Sequence, residues 1–335
     1  MTQPPVPTST TPARSGDPRP IVVTGVAGFI GSHTAKMLLD LGHRVIGIDA
    51  FTPYYDRMVK EHHLAAFQDH DRFELHERLL TPEGCELFDG AAAVIHLAAQ
   101  PGVRDSWRDF DDYVDLNVRT TKYVLDAALE HDVPRVVCAS SSSVYGDAPT
   151  YPTSETAPLE PRSPYGISKL AAERLAVAYG IERGLSTVSL RYFTVYGPGQ
   201  RPDMAIQRLI TAAHTGETFP MFGDGTQIRD FTFVHDVARA NVLSALVDVA
   251  PGSVFNVCSE APTTLNDVIA EVERITGRDV QLERSAVALG DVRRTGGSAD
   301  RIGEQLGWEP TTTLAEGIDL QDEAVRSLLD AVDAR

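Results

Sequence analysis

A tyrosine and a lysine four residues apart, Tyr165 and Lys169, form the pair in this sequence best suited to acid–base chemistry. They lie in the run 164–173, which predicts the start of a helix, and a spacing of four puts both side chains on one helical face. A nearby ammonium group stabilises a phenolate, so the lysine can turn a phenol of pKa about 10 into a base usable near neutral pH. Lowering that pKa by about three units requires about 4 kcal/mol of differential stabilisation. The alternative is a solvated lysine beside a helix-starting tyrosine.

A glycine-rich segment near the N-terminus has the spacing G-x-x-G-x-x-G, which is typical of dinucleotide-binding loops. It follows a short apolar strand and opens an apolar helix, as such a loop requires. We expect Gly25 to permit the tight turn, Gly28 to let backbone N–H groups approach a pyrophosphate, and Gly31 to let the helix pack against the sheet. Phe29 and Ile30 stand between the last two glycines and belong to the same predicted cofactor site.

The acidic residue that closes the second predicted strand, Asp49, indicates which dinucleotide binds. It lies 18 residues beyond Gly31, about where a ribose-binding carboxylate is expected. A carboxylate accepts hydrogen bonds from the free ribose hydroxyls of NAD and repels the 2′-phosphate of NADP. No arginine follows Asp49 until Arg57. The sequence therefore predicts NAD as the cofactor.

Short apolar strands alternate with helices along the following chain. Strands are predicted at 93–99, 135–140 and 187–191, with a helix at 113–130 that carries Asn117 and the Tyr165 helix between the last two strands. This alternation predicts a doubly wound, Rossmann-like parallel sheet in an α/β fold. Ligands of such sheets bind at the carboxyl ends of the strands. The small residues Ala98 and Ala99 stand at such an end, where the backbone would pass a bound cofactor.

The length of 335 residues favours one large domain and a smaller lobe. We expect an NAD-binding domain over 20–196, to which later segments contribute strands, and an α/β lobe over 197–330 that mainly binds substrate. Residues 1–19 are rich in proline, serine and threonine and lack an apolar core. They are expected to be a disordered tail and not a signal peptide.

The charge balance and the cysteine count exclude several classes of protein. Thirty basic against 47 acidic residues give a net charge of −17, which disfavours nucleic acid or an anionic membrane as partner. Three scattered cysteines form neither a disulfide framework nor a metal pattern, and the histidines show no ligand spacing. No stretch is long enough to span a bilayer. We therefore expect a cytoplasmic enzyme without a metal.

Polar, glycine-rich segments in the second half of the chain carry Arg201, Arg229 and Arg293. Guanidinium groups in such loops suit a lid over a phosphorylated ligand, because they bind phosphate oxygens in a bidentate manner. Surface ion pairs in an acidic protein are the alternative explanation for each of them.

Residues 20–325 resemble the extended short-chain dehydrogenase/reductase superfamily and, within it, the nucleotide-sugar 4-epimerases. Beyond Tyr165 and Lys169, the segments that carry the resemblance are 24–32, 96–100, 140–146, 191–198, 229–231 and 290–292. The resemblance implies a homodimer formed by the helices at about 105–130 and 163–183.

The resemblance also implies roles for individual residues. Tyr165 would be the catalytic base, while Lys169 would tune it and bind the nicotinamide ribose. Ser141, four residues before Tyr145, would share the sugar's C4 oxygen with the tyrosine. Arg229 would grip the nucleotide diphosphate. Further predicted binding residues are Gln100 and Asn117 for the cofactor, and Ser142, Ser143, Thr194, Arg201, Asp291 and Arg293 for the substrate.

The residues after Ser141 indicate which reaction follows the common first oxidation. Similar dehydratases carry Asp-Glu there and similar decarboxylases carry a glutamate, whereas this chain has Ser142 and Ser143. Hydroxyls without a neighbouring base cannot protonate a leaving hydroxyl or remove the C5 proton. The remaining reaction is 4-epimerisation through a 4-keto sugar, with the cofactor regenerated in each turnover.

The segments 54–56, 139–146 and 191–204 look most like UDP-glucuronate 4-epimerases. The hydroxyls of Ser141, Ser142, Ser143 and Thr194 can hydrogen-bond a C6 carboxylate without a permanent salt bridge. UDP-glucose/UDP-galactose epimerisation is the main alternative, followed by a UDP-glucuronate decarboxylase or an NDP-sugar dehydratase. A non-catalytic NAD sensor is the least favoured alternative, since such proteins lose the tyrosine or the lysine.

Two positions depart from the family pattern. Arg78 stands where many relatives carry an aspartate for the adenine amino group, which weakens the expectation of that contact. Ala288 stands where relatives often carry an arginine, so that Arg293 is a substitute candidate for binding the diphosphate.

Overall fold

The computed structural model describes residues 17–286 and 292–333, with side chains described up to residue 330. Most of the predicted tail, residues 1–16, and the predicted substrate residue Asp291 therefore lie outside the described residues. The strands are β1 Ile21–Thr24, β2 Val45–Asp49, β3 Phe73–Glu77, β4 Ala93–His96, β5 Val136–Ser141, β6 Thr187–Tyr192, β7 Thr194–Tyr196, β8 Phe219–Phe222, β9 Ile228–Arg229, β10 Phe231–Phe233, β11 Ser253–Val257, β12 Thr263–Thr264 and β13 Leu282–Ser285. The α-helices are α1 Phe29–Asp40, α2 Arg57–Leu64, α3 Phe110–Tyr113, α4 Thr120–Glu130, α5 Pro164–Arg183, α6 Ala205–Thr215, α7 Val234–Leu246, α8 Leu265–Thr276, α9 Asp300–Leu306 and α10 Leu314–Asp333.

Seven of the strands in the described residues form one parallel sheet in the order β11-β6-β5-β4-β1-β2-β3. The strand order reverses between β1 and β4, which is the point where doubly wound sheets bind ligands. Strand β1 is buried on both faces: Ile21 and Val23 belong to one apolar cluster and Val22 to the other. This two-sided burial is typical of parallel sheets covered by helices. The predicted Rossmann-like fold is confirmed.

Helices cover both faces of this sheet. On one face α1 packs against α7, and their apolar residues share a cluster with Ile21, Val23 and Ile95. On the other face α4 packs against α5, and both contribute to the cluster that contains Val22 and Val94. No helix in the described ranges has both the length and the apolar character needed to cross a membrane.

A third apolar cluster forms a smaller lobe beside the sheet. Helices α6, α8 and α10 pack together there, over residues that include Leu209, Val268 and Ile318. Three two-stranded pairs accompany them: β7 with β10, β8 with β13, and β9 with β12. The chain returns from this lobe to the large sheet through α7 and β11. The domain boundary after residue 196 stays a prediction.

Candidate active site

A cleft opens at the carboxyl end of the sheet, at the reversal between β1 and β4. Of the residues predicted to bind the cofactor, those that line it are Gly25, Gly28, Phe29, Ile30, Gly31, Asp49, Ala98, Ala99, Tyr165 and Lys169. They come from the ends of β1, β2 and β4, from the start of α1 and from α5. Elements far apart in the chain therefore bring the predicted cofactor residues to one place.

The glycine loop between β1 and α1 leaves no room for side chains at its first and last glycines. Gly25 has φ +70°, and a Cβ atom there would lie 2.8 Å from the backbone nitrogen of Ala98. A Cβ atom at Gly31 would lie 2.0 Å from the carbonyl oxygen of Gly25. The loop can therefore keep this shape only with glycine, and its backbone is open to a pyrophosphate at the start of α1. This geometry fits the predicted dinucleotide.

The carboxylate of Asp49 at the end of β2 is held from three directions. Its Oδ2 accepts a hydrogen bond from the Ala27 backbone N–H at 3.1 Å, and its Oδ1 accepts one from the Phe51 N–H at 2.8 Å. The Lys60 ammonium donates to Oδ1 at 3.1 Å, and both side chains of this ion pair are buried. The charge of Asp49 is thus paired. Lys60 stands on α2 and lines the cleft, and sequence reasoning missed it.

Further residues to which sequence reasoning gave no role also line the cleft. Arg78 lies in this wall, and its guanidinium pairs with Glu86 at 3.1 Å. The aromatic rings of Tyr54 and Tyr55 face the same space. The position that many relatives use for adenine therefore holds a basic side chain at the cleft wall. Other unassigned lining residues include Thr52, Leu79 and Leu80.

Helix α5 carries Tyr165 and Lys169 into the cleft. It begins where sequence predicts, because the Ser163 side chain accepts a hydrogen bond from the Gly166 N–H at 3.1 Å and proline occupies the first helical position. Burial lowers the pKa of Lys169 to about 8. Burial raises the pKa of Tyr165, while a hydrogen bond with Ser141 and the positive charge of Arg201 act in the opposite direction.

This result differs from the expectation that Lys169 holds Tyr165 as a phenolate. In the protein alone, desolvation of the phenol outweighs the groups that favour its ionised form. Burial also weakens the charge of the lysine itself. The oxidised nicotinamide of a bound NAD⁺ would add a positive charge that favours the phenolate.

A buried ion pair connects the catalytic helix to the sheet. Glu173, on α5, receives two hydrogen bonds from the Arg191 guanidinium on β6, at 2.6 and 2.9 Å. The Ser140 hydroxyl on β5 donates to the same carboxylate at 2.6 Å. Arg191 also donates to the Tyr145 hydroxyl at 2.7 Å, and that hydroxyl donates to Asn256 at 2.7 Å. The network fixes α5 relative to the strand that presents Ser141, and sequence reasoning did not find it.

Gln100 and Asn117 lie beside the cleft and are hydrogen-bonded to each other. The Asn117 side chain accepts from the Gln100 N–H at 2.6 Å and donates to the Gln100 carbonyl at 3.0 Å. It also donates to the Ser168 hydroxyl on α5 at 2.9 Å. Asn117 stands in a π-helical turn, Val114–Arg119, inside the helix predicted at 113–130. The Asn117 side chain therefore links α5 to the loop after β4 through hydrogen bonds.

The predicted substrate residues fall into two groups. Ser142 and Ser143 follow Ser141 in a short 3₁₀ turn, where the Ser143 N–H donates to the Ser141 hydroxyl at 3.1 Å. Arg201 lines the cleft, is mostly buried, and forms two hydrogen bonds with Asp203, both at 3.0 Å. Thr194 opens β7, directly after the strand that carries Arg191.

The other two arginines lie on segments of the lobe. Arg229 ends β9 and its guanidinium donates to the Ile228 carbonyl at 2.8 Å. The Arg293 carbonyl accepts from the Ile228 N–H at 3.0 Å, so that Arg293 lies beside the short strand that contains Arg229. Neither is among the residues that line the cleft. Their predicted role at a diphosphate stays a prediction.

Among the described residues, no group of three or more histidine, cysteine, aspartate or glutamate side chains is placed to hold a metal ion. The free cysteines in this part of the chain, Cys85, Cys138 and Cys258, are all buried.

Comparison with known proteins agrees with the fold and the cleft. The model of the NAD dependent epimerase/dehydratase family matches residues 21–258. A UDP-glucose epimerase of Bacillus subtilis (strain 168) named YtcB, described as uncharacterized, is 38% identical over 301 residues, which cover 89% of this chain and 95% of the relative. A UDP-glucuronate 4-epimerase of Thermodesulfobacterium geofontis (strain OPF15) is 35% identical over 309 residues, covering 89% and 93%.

A solved structure shows the same likeness in three dimensions. It is the UDP-glucuronic acid 4-epimerase of Bacillus cereus in complex with UDP-glucuronic acid and NAD. It superimposes with a TM-score of 0.89 at 34% identity, covering 92% of this chain and 99% of the other.

The chain belongs to the NAD dependent epimerase/dehydratase family. The resemblance to the nucleotide-sugar 4-epimerases, with UDP-glucuronate 4-epimerases among them, is confirmed. The cofactor prediction is confirmed as well, since NAD is the cofactor of the family.

Proposed function

We propose that this protein is an isomerase that catalyses the NAD-dependent 4-epimerisation of a UDP-sugar, and that its substrate is UDP-glucuronate, converted to UDP-galacturonate. The observation that carries the proposal is that Tyr165 and Lys169 line the cofactor cleft and that Tyr165 hydrogen-bonds Ser141. The UDP-glucuronate 4-epimerases to which the chain is similar support the choice of substrate.

The residues of the chain have separate tasks in this mechanism. The Tyr165 phenolate oxygen takes the proton from the sugar's O4, and the Ser141 hydroxyl holds the same oxygen. Lys169 stabilises the phenolate and holds the nicotinamide ribose. NAD⁺, when held by the glycine loop and Lys169, would supply the acceptor for the C4 hydride and the donor that returns it. After the 4-keto sugar rotates, Tyr165 returns its proton to O4 on the opposite face.

Burial of Glu173 argues against the competing dehydratase and decarboxylase reactions. Glu173 is the carboxylate that contacts Ser140, directly before Ser141, and its side chain is 0% exposed. Both of its oxygens are bound to Arg191, so it cannot remove a C5 proton. The positions after Ser141 offer only the hydroxyls of Ser142 and Ser143, which lack a base.

A uronate substrate brings a hazard that hydroxyl groups can control. A 4-keto uronate is a β-keto acid and loses CO₂ when its carboxylate stands perpendicular to the carbonyl plane. Hydrogen bonds from Ser142 and Thr194 would hold the carboxylate near that plane. Thr194→Ala and Ser142→Ala should therefore raise the share of pentose by-product, measured by NMR of the product mixture. Unchanged product ratios would contradict this role.

UDP-glucose/UDP-galactose epimerisation is the second candidate, and the 38% identity to a UDP-glucose epimerase favours it. Its substrate has a C6 hydroxyl in place of the carboxylate, and the same hydroxyl-rich turn could accept it.

The deciding experiment is product analysis by NMR after incubation of the purified protein with UDP-glucuronate and, separately, with UDP-glucose, both without added NAD. Formation of UDP-galacturonate supports the proposal and shows that the protein carries its cofactor. Turnover of UDP-glucose alone would assign the second candidate, and a pentose product would assign decarboxylation. Tyr165→Phe serves as the inactive control.

We also propose that the protein is a cytoplasmic homodimer. Apolar side chains on the outer face of α5 and on the segment before α4 are exposed: Ile167 by 50%, Ile181 by 68%, Trp107 by 56% and Phe110 by 40%. A second copy that covered them would remove this apolar surface from water. Ile167→Asp with Ile181→Asp should shift the mass measured by light scattering from dimer to monomer, whereas a monomeric wild type would refute the proposal.

A further inference from the structure

The loop 197–204 passes from the lobe to the cofactor cleft. It follows β7 and carries Arg201, whose guanidinium lies 5.8 Å from the ring centroid of Tyr54. Tyr54 belongs to the segment after β2, on the other side of the cleft, and both residues line that cleft. The loop therefore spans the cleft and meets the cofactor-binding domain there.

His63, on α2, lies between this loop and the glycine loop. Its Nδ1 is 2.9 Å from the carbonyl oxygen of Ala27, and because a carbonyl only accepts, Nδ1 carries the proton. The other edge of the ring faces Gly199, where a Cβ atom would lie 2.9 Å from Nε2. Gly199 has φ +75°, which suits glycine. The loop thus rests directly on the imidazole that holds the glycine loop.

His33, on α1, hydrogen-bonds Pro198, the residue before Gly199 in the loop. Its Nε2 donates to the Pro198 carbonyl oxygen, at 2.8 Å. Its ring packs edge-on against Phe29, with centroids 6.0 Å apart, and Phe29 lines the cleft. Two imidazoles from the cofactor-binding domain therefore hold two consecutive residues of the loop.

Buried glutamine side chains hold the same loop from the lobe. The Gln321 carbonyl oxygen, on α10, accepts from the Gly197 N–H at 2.9 Å, and its amide donates to Gln200 at 2.9 Å. Gln200 in turn donates to the Val195 carbonyl at 2.9 Å. Since the lobe side is fixed by these buried amides, the contacts with His33, His63 and Tyr54 decide whether the loop stays on the cofactor-binding domain.

We propose that His33 and His63 are positioning residues that hold the 197–204 loop on the glycine loop, and that this contact keeps NAD in the cleft between turnovers. An epimerase regenerates its cofactor and has no need to exchange it. This reason for retaining NAD rests on the proposed epimerisation. The release of NAD, however, is measured without any sugar nucleotide, so its outcome is separate from the choice of substrate or reaction.

The test compares NAD release from NAD-loaded wild type, His33→Ala, His63→Ala and the double variant, with alcohol dehydrogenase and ethanol converting released NAD⁺ to NADH. His33→Ala removes the hydrogen bond to the Pro198 carbonyl, and His63→Ala removes the ring on which Gly199 rests together with its hydrogen bond to Ala27. Each loss should speed release about tenfold. The double variant should release faster than either single one. His62→Ala is the matched control, because His62 is the exposed neighbour on the same helix.

Two further variants separate loop closure from general damage. Gly199→Ala leaves both histidines in place but sets a Cβ atom against His63, and it should also speed release. His63→Asn keeps a donor near the Nδ1 position and should restore most of the retention. The faster-releasing variants should regain the wild-type kcat when NAD is added in excess. Wild-type release rates in folded His63→Ala and Gly199→Ala, or equal acceleration in His62→Ala, would overturn the proposal.

Discussion

Removing the charge of Glu173 should destabilise the protein far more than any surface substitution on the same helix. The Glu173 side chain is 0% exposed and that of Arg191 is 2% exposed. Glu173→Gln keeps the shape but removes the charge, and it points an amide N–H₂ at a guanidinium that has only donors. The guanidinium would remain buried, with one side-chain oxygen left at position 173 and the Tyr145 hydroxyl and Glu155 carbonyl as its other acceptors, all of them uncharged.

The burial of both charged side chains determines the expected loss of stability. Removing one partner of a buried ion pair costs about 3–5 kcal/mol, because the other charge stays uncompensated. Glu173→Gln should therefore lower the free energy of unfolding by about 3 kcal/mol or more. It should also lower activity, since Glu173 follows Lys169 by one helical turn and fixes α5 to the strand that carries Ser141.

Urea unfolding followed by circular dichroism measures this free energy, and an unchanged m-value shows that the midpoint reports stability. Glu182→Gln on the exposed side of α5 is the matched control and should stay within about 0.5 kcal/mol of wild type. The double variant Glu173→Met with Arg191→Met removes both charges and should recover much of the loss, since apolar replacement of a buried pair is often neutral or stabilising. A Glu173→Gln loss below about 1 kcal/mol, or strictly additive single and double variants, would refute the reasoning.

Three further predictions concern catalysis, acid stability and cofactor binding. Tyr165→Phe should lower kcat by about 10²–10⁴-fold with its fold intact, and a smaller loss in steady-state assays would assign the proton transfer to another group. Burial lowers the pKa of His96, which contacts Thr24 and Thr121, to about 3. As the pH falls, the unfolded chain therefore takes up this proton before the folded protein does. The free energy of unfolding should fall by about 2 kcal/mol as the pH drops from 6.5 to 5. Urea midpoints measured over this range should fall less in His96→Gln. Lys60→Met should weaken NAD binding about tenfold in a fluorescence titration, because it leaves the buried Asp49 carboxylate without its ion partner; an unchanged affinity would show that the ion pair is only structural.

Features that depend on short spacings in the sequence were predicted well. The helix register that places Tyr165 and Lys169 on one face, the glycine loop, and the distance to Asp49 all depend on local geometry: helical period, turn sterics and the length of a β–α–β unit. The alternation of apolar strands with helices likewise predicts the parallel sheet, because each strand must be buried on both faces. These parts of the fold and site follow from the amino-acid sequence alone.

Contacts between distant parts of the chain were decided only by the tertiary structure. The pairing of Asp49 with Lys60 and of Glu173 with Arg191 depends on which helix packs over which strand end, and no spacing encodes that. Burial then changes the chemistry: it raises the pKa of Tyr165, where sequence reasoning expects Lys169 to lower it. Long-range packing also brings His33 and His63 into contact with the 197–204 loop. Local sequence thus specifies which side chains are available, while long-range packing decides which of them meet and how far water is excluded from them.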